Sequence, residues 1–248
     1  MVQRIRDRKR RGNGSCLLAR ASAFVHRLGV VVLRPELGGR RRPDLRLRRR
    51  RAHGGPVQAA HDLPPEQRYE FRDGVRRLWV YCTDKPLSPG NPTKPRSEIL
   101  LNKTYTSGVW QFEGHAYVRA GTTGVSVIQV FGAPRSSGHN TTLKLHIHGG
   151  RSMYYHDKTR VVDGDICGGW FRLNVVHDVG ANELTVFVEG EERLRVAGRG
   201  GFRHYFKFGV YVQTDPSHYM ESRWRDVKVY TKISSGGREN NGGPKIRI

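Results

Sequence analysis

The chain has 248 residues, with 44 Lys and Arg against 22 Asp and Glu and a formal net charge of +22. That length holds one large all-β domain or two small ones, and with no run of about 18 apolar residues no helical membrane span is expected. Three cysteines, Cys16, Cys82 and Cys167, are too few for a disulfide-dense scaffold and lack metal-ligand spacing.

The charge is uneven. Residues 1–60 hold 17 Lys and Arg against 3 Asp and Glu, a balance of +14 that leaves +8 for the rest. Residues 40–51 are almost an arginine block, which attracts phosphate polyanions by counterion release. No aromatic residues are interleaved for base stacking and no zinc or helix-turn-helix pattern accompanies the block, so nucleic acid is not expected as a partner. Residues 1–61 read as an Arg-rich disordered leader. Their Arg and Ser content with few acids resembles an organelle transit peptide, whereas the apolar stretch 16–33 is interrupted by Arg20, His26 and Arg27 and makes a poor secretory signal. A processed leader and a misplaced gene start remain alternatives.

From Arg68 onward apolar residues alternate with polar ones, the two-residue period of a half-buried strand. Residues 85–95 hold four prolines, Pro86, Pro89, Pro92 and Pro95, and read as a loop feeding a strand at Arg96 and able to wall one end of a cleft. Leu143, Leu145 and Ile147 point opposite to Thr142, Lys144, His146 and His148. Phe171, Leu173 and Val175 oppose Arg172 and Asn174, and Leu184, Val186 and Val188 oppose Thr185 and Glu189. Gly149-Gly150, Gly180-Ala181-Asn182 and Glu189-Gly190 punctuate these runs at hairpin spacing. The pattern predicts an antiparallel two-sheet β-sandwich over residues 62–232, followed by a flexible Gly- and Asn-rich tail at 233–248.

Within that frame, Tyr205-Phe206-Lys207-Phe208-Gly209-Val210-Tyr211-Val212-Gln213 puts Phe206, Phe208, Val210 and Val212 on a core face. The opposite face carries Tyr205, Lys207, Tyr211 and Gln213, with Gly209 leaving room for a ligand or a neighbouring backbone. Together with Arg96-Ser97-Glu98-Ile99 and Gln129-Val130-Phe131, in this chain order, the segment resembles the three signature strands of the alginate-lyase jelly-roll family, polysaccharide lyase family 7. That family carries Arg-Ser/Thr-Glu-Leu-Arg, Gln-Ile/Val-His and Tyr-Phe-Lys-Ala-Gly-x-Tyr-x-Gln. Further stretches, Tyr69-Glu70-Phe71-Arg72-Asp73-Gly74, Trp110-Gln111-Phe112-Glu113-Gly114 and His218-Tyr219-Met220-Glu221-Ser222, look closer to the plant citrate-binding proteins of that superfamily.

The resemblance implies a jelly roll, no cofactor, and either a small carboxylate or an acidic polysaccharide as partner. It implies Arg96, Glu98, Gln129, Tyr205, Lys207, Tyr211 and Gln213 as ligand-binding residues. In a lyase, Arg96 and Gln129 would neutralise a uronate carboxylate, Tyr211 would be the catalytic phenol, and Lys207 would favour its phenolate. Two positions depart from the pattern: Phe131 stands where the family has its histidine base, and Leu100 where it has a second arginine. Phe131 has no proton-accepting atom. The expected function is therefore carboxylate binding by a lyase-like domain, with β-elimination of a uronate polymer, Tyr211 acting as both base and acid, as the alternative. An ion pair of Arg96 with Glu98 is the structural alternative for that arginine.

His146, His148, His156, His177, His204 and His218 lack the carboxylate or cysteine partners that would complete a metal site, so none is expected. Trp79, Trp110, Trp170 and Trp224 read as core rather than sugar platforms. The resemblance places the protein in the secretory pathway, vacuolar or extracellular, although no clear signal peptide is present. Only there would the sequons at Asn102 and Asn140 be used. Free thiols are expected at Cys82 and Cys167, one disulfide between them being the alternative.

Overall fold

The computed structural model describes residues 47–50, 55–90 and 92–232. In chain order the strands are β1 (Leu47–Arg50), β2 (Val57–Gln58), β3 (Tyr69–Arg72), β4 (Val75–Tyr81) and β5 (Arg96–Leu100). Next come β6 (Val109–Val118), β7 (Val125–Phe131), β8 (Thr141–His148), β9 (Arg151–Tyr154) and β10 (Val161–Asp163). Last are β11 (Trp170–Asp178), β12 (Glu183–Val188), β13 (Glu191–Ala197), β14 (Tyr205–Val212) and β15 (Tyr219–Lys232).

Two antiparallel sheets form. One runs β13-β12-β11-β6-β15-β4-β3 with β1 paired to β15; the other runs β10-β9-β8-β7-β14-β5-β2. This is the two-sheet sandwich the alternation predicts, of the jelly-roll type that the resemblance implies, and the turns explain part of the register. The β3–β4, β8–β9 and β12–β13 hairpins turn on Asp73-Gly74, Gly149-Gly150 and Glu189-Gly190, where both central residues have positive φ. Such a pair matches the right-handed twist of the strands it joins.

The inward faces meet as an aromatic and aliphatic layer. Phe112 and Trp224 of the first sheet contact Phe206 and Phe208 of the second, with ring centres 5.2 to 5.8 Å apart. Leu143, Leu145, Ile147, Leu173, Val175, Leu184 and Val186 complete it, all essentially without solvent exposure. Each such side chain contributes roughly 1.5 to 3 kcal/mol by burial. Of the four tryptophans only Trp224 is fully buried; Trp170 is 39% exposed and lies beneath the guanidinium of Arg225 on the outer face of the first sheet. The core reading therefore fails for Trp170 and also for Trp79, which lies beneath the Arg77 guanidinium, because the parity that buries Phe171, Leu78 and Val80 turns these neighbours outward.

One polar bridge crosses the core. Ser222 donates to the Gly209 carbonyl at 2.9 Å and accepts from the Trp224 indole at 3.0 Å. Gly209 sits at a register irregularity between β14 and β7 with φ of 141°. A Cβ there would lie 2.2 Å from the Ser97 carbonyl oxygen, so the room it leaves is taken by the β5 backbone, not by a ligand.

The domain begins earlier than the charge pattern suggests. Val57 and Gln58 pair with Ile99 and Glu98, and Ala59 and Ala60 are buried. The expected leader to residue 61 is thus corrected from residue 55 onward, and Leu47–Arg50 pairs with the end of β15. Residues 1–46 and 51–54 of that leader, Cys16, and the exit from residue 233 lie outside the described residues. Cys82 and Cys167 are free thiols. No helix among the described residues is long and apolar enough to cross a membrane.

Candidate functional site

The three motif strands are neighbours, in the order β7-β14-β5. Their outward faces carry the residues singled out above, and cross-strand register fixes which ones meet. Tyr211 stands opposite Arg96, Lys207 opposite both Gln129 and Leu100, and Tyr205 opposite Phe131. The ladder continues to β8, where Lys144 pairs with Gln129 and His146 with Ser126, and to β2, where Gln58 pairs with Glu98.

These side chains are packed against one another. Arg96 is 7% exposed, Lys144 6%, Lys207 3%, Gln129 1% and Glu98 0%, so the polar groups form a closed layer over the sheet. The Gln129 amide donates to Oε1 of Glu98. Nη1 of Arg96 lies 3.6 Å from Oε2 of Glu98, an ion pair too long for a good hydrogen bond. Oε2 of Glu98 and Nε of Arg96 have no hydrogen-bond partner. The ion pair expected as the structural alternative for Arg96 is present, but it leaves both groups incompletely satisfied.

Aromatic rings hold the cations in place. The Arg96 guanidinium lies 4.1 Å from the Tyr211 ring centre, and the Lys144 ammonium lies 3.7 Å from that of Tyr155. The Lys207 ammonium donates to Oε1 of Gln58 at 2.7 Å and sits 4.8 Å from the Phe131 ring, which stacks on Tyr205 at 5.1 Å. Desolvated cation–π contacts of this kind contribute up to about 2 kcal/mol each.

Burial sets the protonation. It pulls the Lys144 ammonium down to about 8 and also lowers Lys207, the Glu98 carboxylate opposing both shifts. It raises the phenols of Tyr205 and Tyr211 above the ordinary tyrosine value. At Tyr211 the opposing influences are Arg96 and, after it, a hydrogen bond with the Lys94 backbone, not Lys207. The expectation that Lys207 favours the Tyr211 phenolate is therefore corrected: the lysine reaches toward Gln58 and Phe131, and desolvation keeps the phenol protonated.

Gln213 departs from the expected set. Its side-chain amide donates to the carbonyls of Val212 and Tyr211, at 2.7 and 3.3 Å, while the Gln213 backbone carbonyl accepts from the Lys94 ammonium at 2.9 Å. That lysine belongs to the proline-rich segment, whose Pro95 carbonyl also accepts from the Val212 amide, so the loop abuts the end of β14.

Sequence reasoning missed Gln58, Lys144 and Tyr155. The alternation already put Lys144 outward on its strand, and a β7–β8 hairpin brings that strand beside Gln129; Gln58 lies in a strand too short to show a period. The histidines scatter: His146 stacks on His148 at 6.0 Å, whereas His177 and His204 lie between the sheets beside Tyr105. Among the described residues no group of three or more His, Cys, Asp or Glu is arranged to hold a metal. Beside Phe131 a cavity of about 450 Å³ opens between Pro134, Arg135, Phe202 and Arg203.

Comparison with known proteins agrees with this architecture. The family model described as alginate lyase matches residues 55–231. A protein from Hevea brasiliensis named citrate-binding protein is 46% identical over 190 residues, covering 75% of this chain and 78% of its own. Among solved structures, the alginate lyase AlgAT5 from polysaccharide lyase family 7 superposes with a TM-score of 0.54 at 16% identity, over 66% of this chain and 83% of its own. The alginate lyase from Corynebacterium sp. gives 0.54 at 14%, over 66% and 81%. These two share the fold. Matched over most of its described length by the family model, the chain belongs to the alginate lyase family.

Proposed function

We propose that the outward face of β5, β14, β7 and β8 binds a small polycarboxylate of the citrate type. The observation that carries this reading is a charge imbalance inside a closed layer: Arg96, Lys144 and Lys207, all more than nine-tenths buried, face the single carboxylate of Glu98. Cations gathered at such burial are costly unless an anion joins them. A planar guanidinium supplies a two-oxygen fork and the two ammonium groups supply point charges, a combination suited to several carboxylates on one small molecule. The name of the Hevea brasiliensis relative supports the same ligand class. Tyr205, Tyr211 and Gln129 would add neutral donors, and no cofactor is needed for binding alone.

A second reading is elimination on a uronate polymer such as alginate or glucuronan. It is favoured by the meeting of Arg96, Gln129 and Tyr211 on one face, with Tyr211 as base and acid. Against it stand Phe131 at the position of the family's histidine, the protonated Tyr211 phenol, and side chains packed edge to edge where a polymer needs an open trough. A missing general base costs about 10² to 10⁴ in rate.

Isothermal calorimetry with citrate tests the first reading, run beside an ultraviolet assay for unsaturated product from alginate, polymannuronate and glucuronan. Heat of binding without product supports the binding protein. Product formation with no citrate heat establishes the lyase instead.

A further inference from the structure

The layer contains one mismatched pair of atoms that says more about the ligand than its charge does. Glu98 spends Oε1 on the Gln129 amide, while Oε2, a buried acceptor, has no donor. Beside it Nε of Arg96, a buried donor, has no acceptor, and Nη1 of the same guanidinium stands 3.6 Å from Oε2. A ligand completing this pair must offer a donor to one atom and an acceptor to the other, within a few ångströms of each other.

An ionised carboxylate alone offers only acceptors. Placed at Arg96, it satisfies Nε but sets a second negative charge against Glu98 and leaves Oε2 unmet. An ammonium group could donate to Oε2, but Arg96, Lys144 and Lys207 already place three cations around one acid, and a fourth is repelled. A hydroxyl donates without adding charge. Resting on the carboxylate-binding reading above, the geometry points to a hydroxycarboxylate as the ligand class, with Glu98 as the residue that selects it. The hydroxyl donates to Oε2 of Glu98, and a carboxylate on the adjacent carbon accepts from Nε of Arg96. Both atoms are closed to solvent. Entry therefore includes a side-chain movement, and the long chains of Arg96 and Lys207 can give way where the β5–β14 ladder cannot.

The test compares acids that differ only in the hydroxyl. Calorimetry on the full chain is run with citrate against tricarballylate, which keeps three carboxylates and lacks the hydroxyl, and with malate against succinate. The hydroxy acid of each pair is expected to bind about tenfold or more tightly, because a site built to bond a hydroxyl rejects the analogue without one. Glu98→Gln, with folding checked by thermal unfolding, is expected to narrow that gap. Equal affinity within both pairs overturns the inference while leaving carboxylate binding intact. An unchanged gap in a folded Glu98→Gln variant places the hydroxyl partner elsewhere and also overturns it. If none of the four acids binds, the carboxylate reading fails and this inference with it. Should Glu98→Gln not fold, the two ligand pairs decide alone.

Discussion

The guanidinium of Arg96 lies over the Tyr211 ring, 4.1 Å from its centre and directly across the β5–β14 ladder. The ring offers the buried cation a π face, and the arginine opposes the burial that raises the phenol. Arg96→Ala removes the fork that would hold a carboxylate, so citrate affinity is expected to fall by roughly 1.5 to 3 kcal/mol, the worth of a hydrogen bond to a charged group. Arg96→Lys is expected to recover little of it, since an ammonium neither forks nor stacks. Calorimetry at fixed ionic strength measures both; unchanged affinity in Arg96→Ala would put the ligand elsewhere.

Lys144 carries the clearest conflict between stability and binding. Burial holds its ammonium at about 8 against an ordinary 10.5, so between those values the unfolded chain binds the extra proton and stability rises with pH. At neutral pH the charged lysine is destabilising by about 3 kcal/mol, taking roughly 1.4 kcal/mol per pKa unit. Lys144→Met is therefore expected to raise the urea midpoint at pH 7 and to weaken citrate binding. In the parent, affinity should decline as pH rises through about 8, and in the variant that step should vanish. A variant less stable than the parent at pH 7 contradicts the assignment.

How much of this was legible in the sequence depends on distance along the chain. Leu143, Leu145 and Ile147 gave their strand by local alternation, and Gly149-Gly150 and Glu189-Gly190 gave their hairpins, because turn and period are properties of a few consecutive residues. The meeting of Arg96, Gln129 and Tyr211 came from the resemblance of three separated motifs, not from any pattern within one of them. Lys144 and Gln58 were out of reach for another reason. Lys144 meets Gln129 across consecutive strands, but only their register fixes that meeting, and Gln58 stands in a two-residue strand with no period to read that pairs with the later β5. Gln213 has the right parity but its amide turns back on the backbone, a rotamer choice that alternation does not encode.

Acid should loosen the sandwich from within. His177 is 1% exposed between the sheets, with Nδ1 3.0 Å from the Tyr105 hydroxyl and its ring edge-on to His204 at 4.6 Å. Burial is the main cause that lowers it to about 4, with His204 adding to the shift and Asp178 opposing it. A histidine depressed from about 6.5 gives stability that is full above that value and lost as pH falls toward about 4, at up to roughly 1.4 kcal/mol per pH unit. His146, buried on the other face of the second sheet, is lowered to about 4 as well and adds to the slope. Urea unfolding at successive pH values should show this decline in the parent and a shallower one in His177→Gln. Identical slopes in the two proteins would mean that His177 does not titrate in that window.

The start of the domain gives the last prediction. A chain beginning at Gly55 keeps β2, whereas one beginning at Asp62 loses Val57–Gln58 and the buried Ala59 and Ala60. It also loses Oε1 of Gln58, the 2.7 Å acceptor of the Lys207 ammonium. Lys207 is 3% exposed with Gln58 in place, so the shorter chain strips this charge of that hydrogen bond. An unmet bond to a charged group costs about 1.5 to 3 kcal/mol, and the exposed edge of β5 adds to that. The chain from Asp62 is therefore expected to unfold at lower urea than the chain from Gly55, by about 2 to 4 kcal/mol in total. Gln58→Ala in the longer chain isolates the lysine's share and should account for roughly half of the loss. Coincident unfolding curves for the two chains would show that β2 is dispensable and that the charge pattern, not the pairing with β5, marks where the domain begins.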